Sequence, residues 1–390
     1  MNSQLEIIVK PELLQWARET SGFSIADVSK KLKKTEQDVL DWENGIAAPT
    51  YSQLEKLAYE IYKRPLAVFF LPEPPLEFTP KQEFRTLPDT DISNLLPNTH
   101  MQFRNARAFQ LTLAELYNGK NPERRPLFYR FELDPKKSVT KQADIIRSVL
   151  NAEIEVRAKF KDDDEALKYW ISEIEKQGIF VFKNSFKQKE ISGFCLNDDE
   201  FPIIYINNST TKTRQIFSLL HELAHILLGV NGIGKFTDEH IAYLDTKEQA
   251  LEIFCNKFAS EVLIPDKDFS YQIQTLPEEL DLYNLDEIVI NLSKRYCVSR
   301  EVVLRKFLDL KKVSEHIYLE KVKIWNNQIK PSGNGNWYAT QNAYLSSRFT
   351  KEVVSKHYNH KLSLESASEY LGIKPKNFAG LEQMILKSVN

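Results

Sequence analysis

The stretch SLLHELAHILLG, residues 218–229, limits what this 390-residue chain can fold into more than any other. Leu219, Leu220, Leu223, Leu227 and Leu228 make it apolar on nearly every side, so it reads as a buried helix. Yet it carries two imidazoles and a carboxylate, His221, Glu222 and His225. Each buried polar group left without a partner costs on the order of 1–3 kcal/mol. His221 and His225 are four residues apart, so both rings leave the same helix face. They are either a hydrogen-bonded pair of core histidines or two ligands of one metal ion. Two imidazoles at this spacing can hold Zn²⁺ at about 2.0–2.1 Å each. Glu222 projects about 100° round the helix from His221. That is too far to bind the same ion, and it suits a proton acceptor for a water beside it.

Such an ion needs a third protein ligand and leaves a fourth position open. The chain has seven histidines, and none follows Gly229 and Gly232 at the offset of an HExxHxxGxxH pattern. A carboxylate on the next long helix is the expected ligand. The pattern predicts that helix over Thr246–Ile264, with Thr246 and Gln249 as a capping box and Pro265 marking its end. Leu251, Phe254, Cys255, Phe258, Ala259 and Val262 form its apolar stripe. Glu252 borders the stripe and is favoured. Glu248, one turn earlier, and Asp238, Glu239 and His240 in the intervening loop are the alternatives.

The rest of the chain sets the context. Its length predicts two or three domains. A net charge of −2 excludes a global field that attracts nucleic acid or anionic membrane, so any basic site is local. Cys195, Cys255 and Cys297 lie far apart with no CxxC spacing. That excludes a disulfide framework and a cysteine-based zinc site, and it suits a reducing compartment. The N-terminus has no signal-peptide core and no apolar run reaches about 18 residues, so the reading is cytoplasmic.

Residues 10–70 read as short helices, with Ser24 as an N-cap and Gly45 as a stop signal. LPEPPLEFTP, residues 71–80, is proline-rich and ends that region. Helical patterns return over 98–120 and 140–178. GIFVFKN, ISGFCLN and FPIIYINN are β-branched and aromatic with turn residues between them, and they predict strands of a small sheet. FPIIYINN immediately precedes the motif helix, so its edge is expected beside the site, where an extended segment could pair with it. Residues 284–310 and 341–388 read as helical, with KPSGNGNW as the linker between them. The fold class is thus mainly α with a small β-sheet, α+β.

HExxH is the arrangement of zinc peptidases. TRQIFSLLHELAHILL, followed by EIFCNKFASEVLIP, resembles the ImmA/IrrE family of bacterial metallopeptidases. The resemblance implies a zincin-like domain over 98–310, with His221, His225 and Glu252 as metal ligands, Glu222 as the catalytic base, and Zn²⁺ or Mn²⁺ as the ion. Cys255 departs from the alanine usual there. Tyr205, Tyr243 and His240 are candidates for a transition-state donor.

SIADVSKKLKKTEQDVLDWENGIAAPTYSQLEKLAYEIYKRPLAVFFLPEPP resembles the XRE-type helix-turn-helix domain. It carries the tryptophan–glutamate–x–glycine turn, the proline–threonine step and the closing VFF. The resemblance implies a five-helix domain over 1–72, a connector over 73–97 containing EFRTLP, and a helical extension over 311–390. In such a domain Thr35 and Gln37 open the recognition helix as base readers, and Lys30, Lys31, Lys33 and Lys34 can grip phosphates. Glu36, Asp38, Asp41 and Glu43 oppose that. Two functions follow as expectations. One is a zinc endopeptidase that cleaves a regulatory protein such as a repressor. The other is a DNA-binding regulator or antitoxin that uses the peptidase fold for sensing or docking. The implied partners are a protein encoded nearby, repressor or toxin, double-stranded DNA and a second copy of the chain, with no membrane.

Overall fold

The structure is a computed structural model that describes residues 9–77, 79–84, 92, 94–235, 244–274, 276, 282–326 and 343–387. It is mainly helical with one small sheet, an α+β fold. The chain divides into two compact units, Met1–Asn105 and Ala106–Asn390. No helix among the described residues is long and apolar enough to cross a membrane.

In the first unit, helices α1 (Pro11–Thr20), α2 (Ile25–Leu32), α3 (Glu36–Glu43) and α4 (Tyr51–Glu55) run in sequence. A π-helical turn, Lys56–Tyr62, continues α4, and a short 3₁₀ helix, Leu66–Phe70, follows. Capping boxes start three of them: Ser24 with Asp27, Thr35 with Asp38, and Thr50 with Gln53. Each satisfies amide donors that a helix start leaves unpaired. Leu13, Leu14, Val28, Val39, Trp42, Leu54 and Leu57 share one apolar core. The proline-rich stretch stays with this unit. Glu77 takes two hydrogen bonds from the Arg64 guanidinium, at 2.7 and 2.8 Å, and that guanidinium lies over the Trp16 ring.

The second unit holds a four-stranded sheet in the order β1-β3-β2-β4. Its strands are β1 (Phe180–Asn184), β2 (Ile191–Leu196), β3 (Ile203–Asn207) and β4 (Gly232–Lys235). β3 runs parallel to β1 and antiparallel to β2, and β4 is antiparallel to β2. The three strands expected from the sequence form. However, FPIIYINN does not supply an edge: β3 is paired on both sides and buried along its whole length. The edge strand that follows the motif helix is β4, whose GIGK sequence carries little β signal.

The motif helix, Lys212–Leu227, lies across one face of the sheet, against β2, β3 and β4. Val181, Cys195, Ile204 and Ile206 join Ile216, Leu219, Leu220 and Leu223 in that core. Helix Thr246–Leu263 packs against the motif helix. It is capped by the Asp245 carboxylate, which accepts from the Lys247 and Glu248 amides. The cap therefore sits one residue before the predicted Thr246–Gln249 box. Asp245 serves because its side chain reaches both amides from extended backbone.

The other face of the sheet carries aromatic rings. Phe109 stacks on Phe182 at 4.1 Å and Phe194 on Tyr205 at 5.2 Å, while Phe349 meets Phe182 edge-on. Phe349 begins the C-terminal helical segment, within helix Ser347–Tyr358. Beside it Arg348 donates to the Glu175 carbonyl at 3.0 Å. The KPSGNGNW linker lies outside the described residues, as do Arg85–Pro88 of EFRTLP.

The Glu175 side chain is wholly buried at this junction. Burial pushes its carboxyl up to about 7, against hydrogen bonds from Ser346 and from the Val181 and Arg348 backbone. A carboxyl raised in the folded state is neutral there while the unfolded chain already ionises. Its contribution is therefore fully present below the ordinary value of 4.5 and is lost as pH rises through about 7. The loss amounts to about 3 kcal/mol. Glu175→Gln should remove this part of the pH dependence, read as a flatter urea-unfolding free energy between acid and neutral pH.

Candidate metal centre

The site begins with one helix face. His221, Glu222 and His225 are 5, 0 and 0% exposed, and Glu252 is 1% exposed. His221 Nε2 and His225 Nε2 lie 3.2 Å apart. Glu252 straddles both rings, with Oε2 at 3.2 Å from His221 Nε2 and Oε1 at 3.3 Å from His225 Nε2. Among the described residues these three form the group of metal-binding side chains whose ligand atoms converge.

The donor chemistry fits a metal ion. His221 Nδ1 lies 2.9 Å from Asn256 Oδ1. An amide oxygen only accepts, so Nδ1 carries the proton and Nε2 presents a lone pair toward His225. A tetrahedral centre bonded at about 2.0 Å has ligand atoms about 3.3 Å apart, close to the spacing of the two imidazole nitrogens. Glu252 Oε1 is buried without a hydrogen-bond partner, and a cation would supply what it lacks. Burial acts to raise the Glu252 carboxyl, but the two histidines outweigh it and hold the group well below the usual carboxylate range.

Glu222 faces the same centre without joining it. Both of its oxygens are buried without a partner of hydrogen-bond geometry. Burial pushes its carboxyl up to about 7; His221 pulls it down and the Glu252 charge pushes it further up. A group near neutrality can both take and return a proton.

β4 supplies the floor. A Cβ on Gly232 would lie 2.3 Å from His225 ring atoms, and one on Gly234 would lie 2.7 Å from Glu222 Oε1. Only glycine lets the strand approach this closely. Cys195, opposite Gly232 on β2, accepts the Gly232 amide on its sulfur at 3.2 Å. The opening over the cluster is lined by Ser192, Arg214, Phe217, Gly234, Lys235 and Asn256, beside His221 and Glu252. Arg214 donates to the Lys235 carbonyl at 2.8 Å, tying the start of the motif helix to the end of β4.

The structure brings four of the expected residues together: His221, Glu222, His225 and Glu252. Glu248 lies outside the converging group. Asp238, Glu239, His240 and Tyr243 lie outside the described residues. Tyr205 is not at the site, because it stacks with Phe194 on the opposite sheet face. Alternation along β3 decides this: Ile204 and Ile206 face the motif helix, so Tyr205 faces away. Asn256, Gly232 and Gly234 were not anticipated. Asn256 stands four residues after Glu252 on one helix face, and that spacing was the available signal.

In the first unit, Lys30, Lys31, Lys33, Lys34, Thr35 and Gln37 are all exposed around the turn between α2 and α3. Lys33 takes left-handed backbone there, φ 57°. The Thr35 hydroxyl is engaged with Asp38, and Gln37 donates to Asp41 at 2.8 Å.

Residues 174–308 match the family model described as the IrrE N-terminal-like domain. The chain is also 39% identical over 71 residues to the radiation response metalloprotease IrrE of Deinococcus radiodurans. That likeness covers 18% of this chain and 21% of that protein.

Metal analysis of purified variants separates the roles. His221→Ala and Glu252→Ala should each lose the ion, while Glu222→Gln and Glu248→Ala keep it. Asn256→Ala should weaken metal affinity about 10–100-fold by freeing the His221 ring. Equal loss in Glu222→Gln and His221→Ala would contradict the assignment.

Proposed function

We propose that the second unit is a metal-dependent endopeptidase that cuts an extended segment of a regulatory protein. The observation that carries this reading is Glu222, a buried carboxylate beside the His221–His225–Glu252 cluster that takes no part in it. A site that only stored a metal would have no use for such a group. The match to the IrrE N-terminal-like domain supports the same reading.

His221, His225 and Glu252 would hold Zn²⁺ or Mn²⁺. When bound, the ion would polarise a peptide carbonyl and make a water more acidic. Glu222 takes the proton from the attacking water and passes it to the leaving amine. Asn256 fixes the His221 ring. The leucines of the motif helix keep solvent from the buried side of the cluster, which strengthens each electrostatic contact.

β4 is the natural support for the substrate. It closes the sheet on the site's side and pairs with β2, and no described strand pairs its other edge. An extended segment added there would run past Gly234 and Lys235 at the opening, with alternate side chains turned to the protein. A folded target would first have to open locally, which limits the proteins at risk. The partner is proposed to be a repressor or toxin encoded nearby, and the reaction cytoplasmic.

For the first unit we propose a helix-turn-helix that grips double-stranded DNA through Lys30, Lys31, Lys33 and Lys34. Thr35 and Gln37 are held by their neighbours on α3, so base reading would require them to change partners. The exposed lysines support phosphate contact.

Glu222→Gln should leave partner binding and metal content intact and slow cleavage about 10²–10⁴-fold. The measurement is co-expression of the neighbouring regulator with wild type or variant, with fragments read by mass spectrometry. An intact regulator in both, with the variant complementing a deletion, would leave the regulator or antitoxin reading in place of the peptidase. Alanine at all four lysines should weaken every DNA sequence alike and flatten the salt dependence by about one log–log unit per lost phosphate contact. A wild type that shifts no promoter fragment at low salt would sink the DNA reading.

A further inference from the structure

A second buried polar centre lies outside the peptidase cluster. Arg157 ends the short helix Ile154–Arg157, and Trp170 lies on helix Asp163–Lys176. Both side chains are 0% exposed. The guanidinium sits over the indole, 5.8 Å from the ring centroid. Arg157 Nε, Nη1 and Nη2 and Trp170 Nε1 are all buried without a hydrogen-bond partner. All four bear N–H groups, and none of them can accept.

The charge makes the deficit severe. Burial and the nearby Arg147 push the Arg157 guanidinium down only to about 10, so it is cationic at neutral pH. Among the described residues no carboxylate lies within ion-pair distance of it; Asp268 acts on it only from farther off and is already bonded by Arg295 and Tyr296. Arg147 does not share the deficit. It bonds Asp144 at 2.7 Å and the Glu261 and Val262 carbonyls at 3.1 and 3.4 Å. Stacking on the indole offsets part of the Arg157 charge through the ring face, yet it gives the N–H groups no acceptor. A buried cation without a directly paired counter-charge is among the costliest arrangements a core can hold.

We propose that Arg157 and the Trp170 indole N–H bind a small monovalent anion of the halide class. The site lies where helices Ile154–Arg157, Asp163–Lys176 and Leu282–Tyr296 meet. The ligand class follows from the donors. One negative charge balances one guanidinium, whereas phosphate would bring excess charge to a place with no other free cation among the described residues. Complete burial excludes anions tethered to large molecules. Water could accept the same hydrogen bonds, but it would leave the charge unbalanced. The Cys297 thiol lies 3.9 Å from the Arg157 carbonyl and 3.7 Å from the Lys294 carbonyl, which places the residue after Tyr296 beside the end of the Ile154–Arg157 helix.

The test uses the full chain in buffers of constant ionic strength, with sodium chloride replacing sodium gluconate. The wild-type unfolding midpoint should rise with chloride as a saturable binding curve. Arg157→Met, which keeps the bulk and removes the charge, should abolish the rise. Trp170→Phe, which keeps the ring and removes the N–H, should raise the half-saturating chloride roughly tenfold. Crystals grown in bromide should show an anomalous peak within hydrogen-bond distance of both side chains. If Arg157→Met does not fold, Trp170→Phe and the bromide peak decide. A wild-type midpoint indifferent to chloride, an unchanged chloride response in either variant, or a water without anomalous signal at the bromide position would each overturn the proposal.

Discussion

Four polar side chains, His221, Glu222, His225 and Glu252, are buried at one point in an apolar core, and holding them together there is the constraint around which the second unit is arranged. An imidazole or carboxylate in such a place must meet a partner held in position. The leucines of the motif helix provide the rigid apolar frame. Helix Thr246–Leu263 brings Glu252 and Asn256 on one face, so one element supplies both a carboxylate and the brace for a ring. The sheet contributes the opposite surface. Gly232 and Gly234 belong to that surface because any side chain there would occupy the space of His225 or Glu222. The site is therefore the product of two helices and one short strand, and none of them can shift without unpairing a buried group.

Much of this was legible in the sequence because helical spacing is a local property. Four residues between His221 and His225 fix a common face whatever the rest of the chain does. The apolar stripe of the next helix likewise placed Glu252. The three hydrophobic strands announced themselves by β-branched and aromatic residues. Strand order was not legible, because it depends on partners far apart in sequence. FPIIYINN looked like an edge from its position before the motif helix, yet β3 is central, since β1 and β2 both pair with it. GIGK was missed for a related reason. Its glycines lower strand propensity, and their purpose, close approach to His225 and Glu222, exists only in three dimensions. The cap at Asp245 in place of Thr246 is the ordinary one-residue uncertainty of helix starts.

The first unit shows how local chemistry can compete with a surface role. The acids of α3 read as obstacles to a phosphate lattice. Asp38 turns out to be part of the helix start: the Thr35 hydroxyl and amide hold its carboxylate below its ordinary value. Thr35 is engaged by the same bond. A side chain that caps a helix is oriented by that helix, so the geometry that stabilises α3 also limits what its first turn can present. The lysines on the preceding turn escape this conflict: Lys33 ends α2 through its backbone amide in left-handed conformation, and none of the four uses its side chain as a cap.

All three cysteines are buried, and one of them lies beneath the centre. Cys195 holds the Gly232 amide on its sulfur and forms part of the surface under Glu222. An alkylating reagent can reach that thiol only when β4 lifts from the motif helix or the whole unit unfolds. Its labelling rate in native buffer is thus a clock for the opening of the strand. Cys255, on helix Thr246–Leu263 and close to the same two glutamates, and Cys297, after helix Leu282–Tyr296, give two further readings from the same unit. If Cys195 reacts long before them, the floor of the site breathes independently of the core. If all three react together, the sheet, both helices and the buried charges open as one cooperative body.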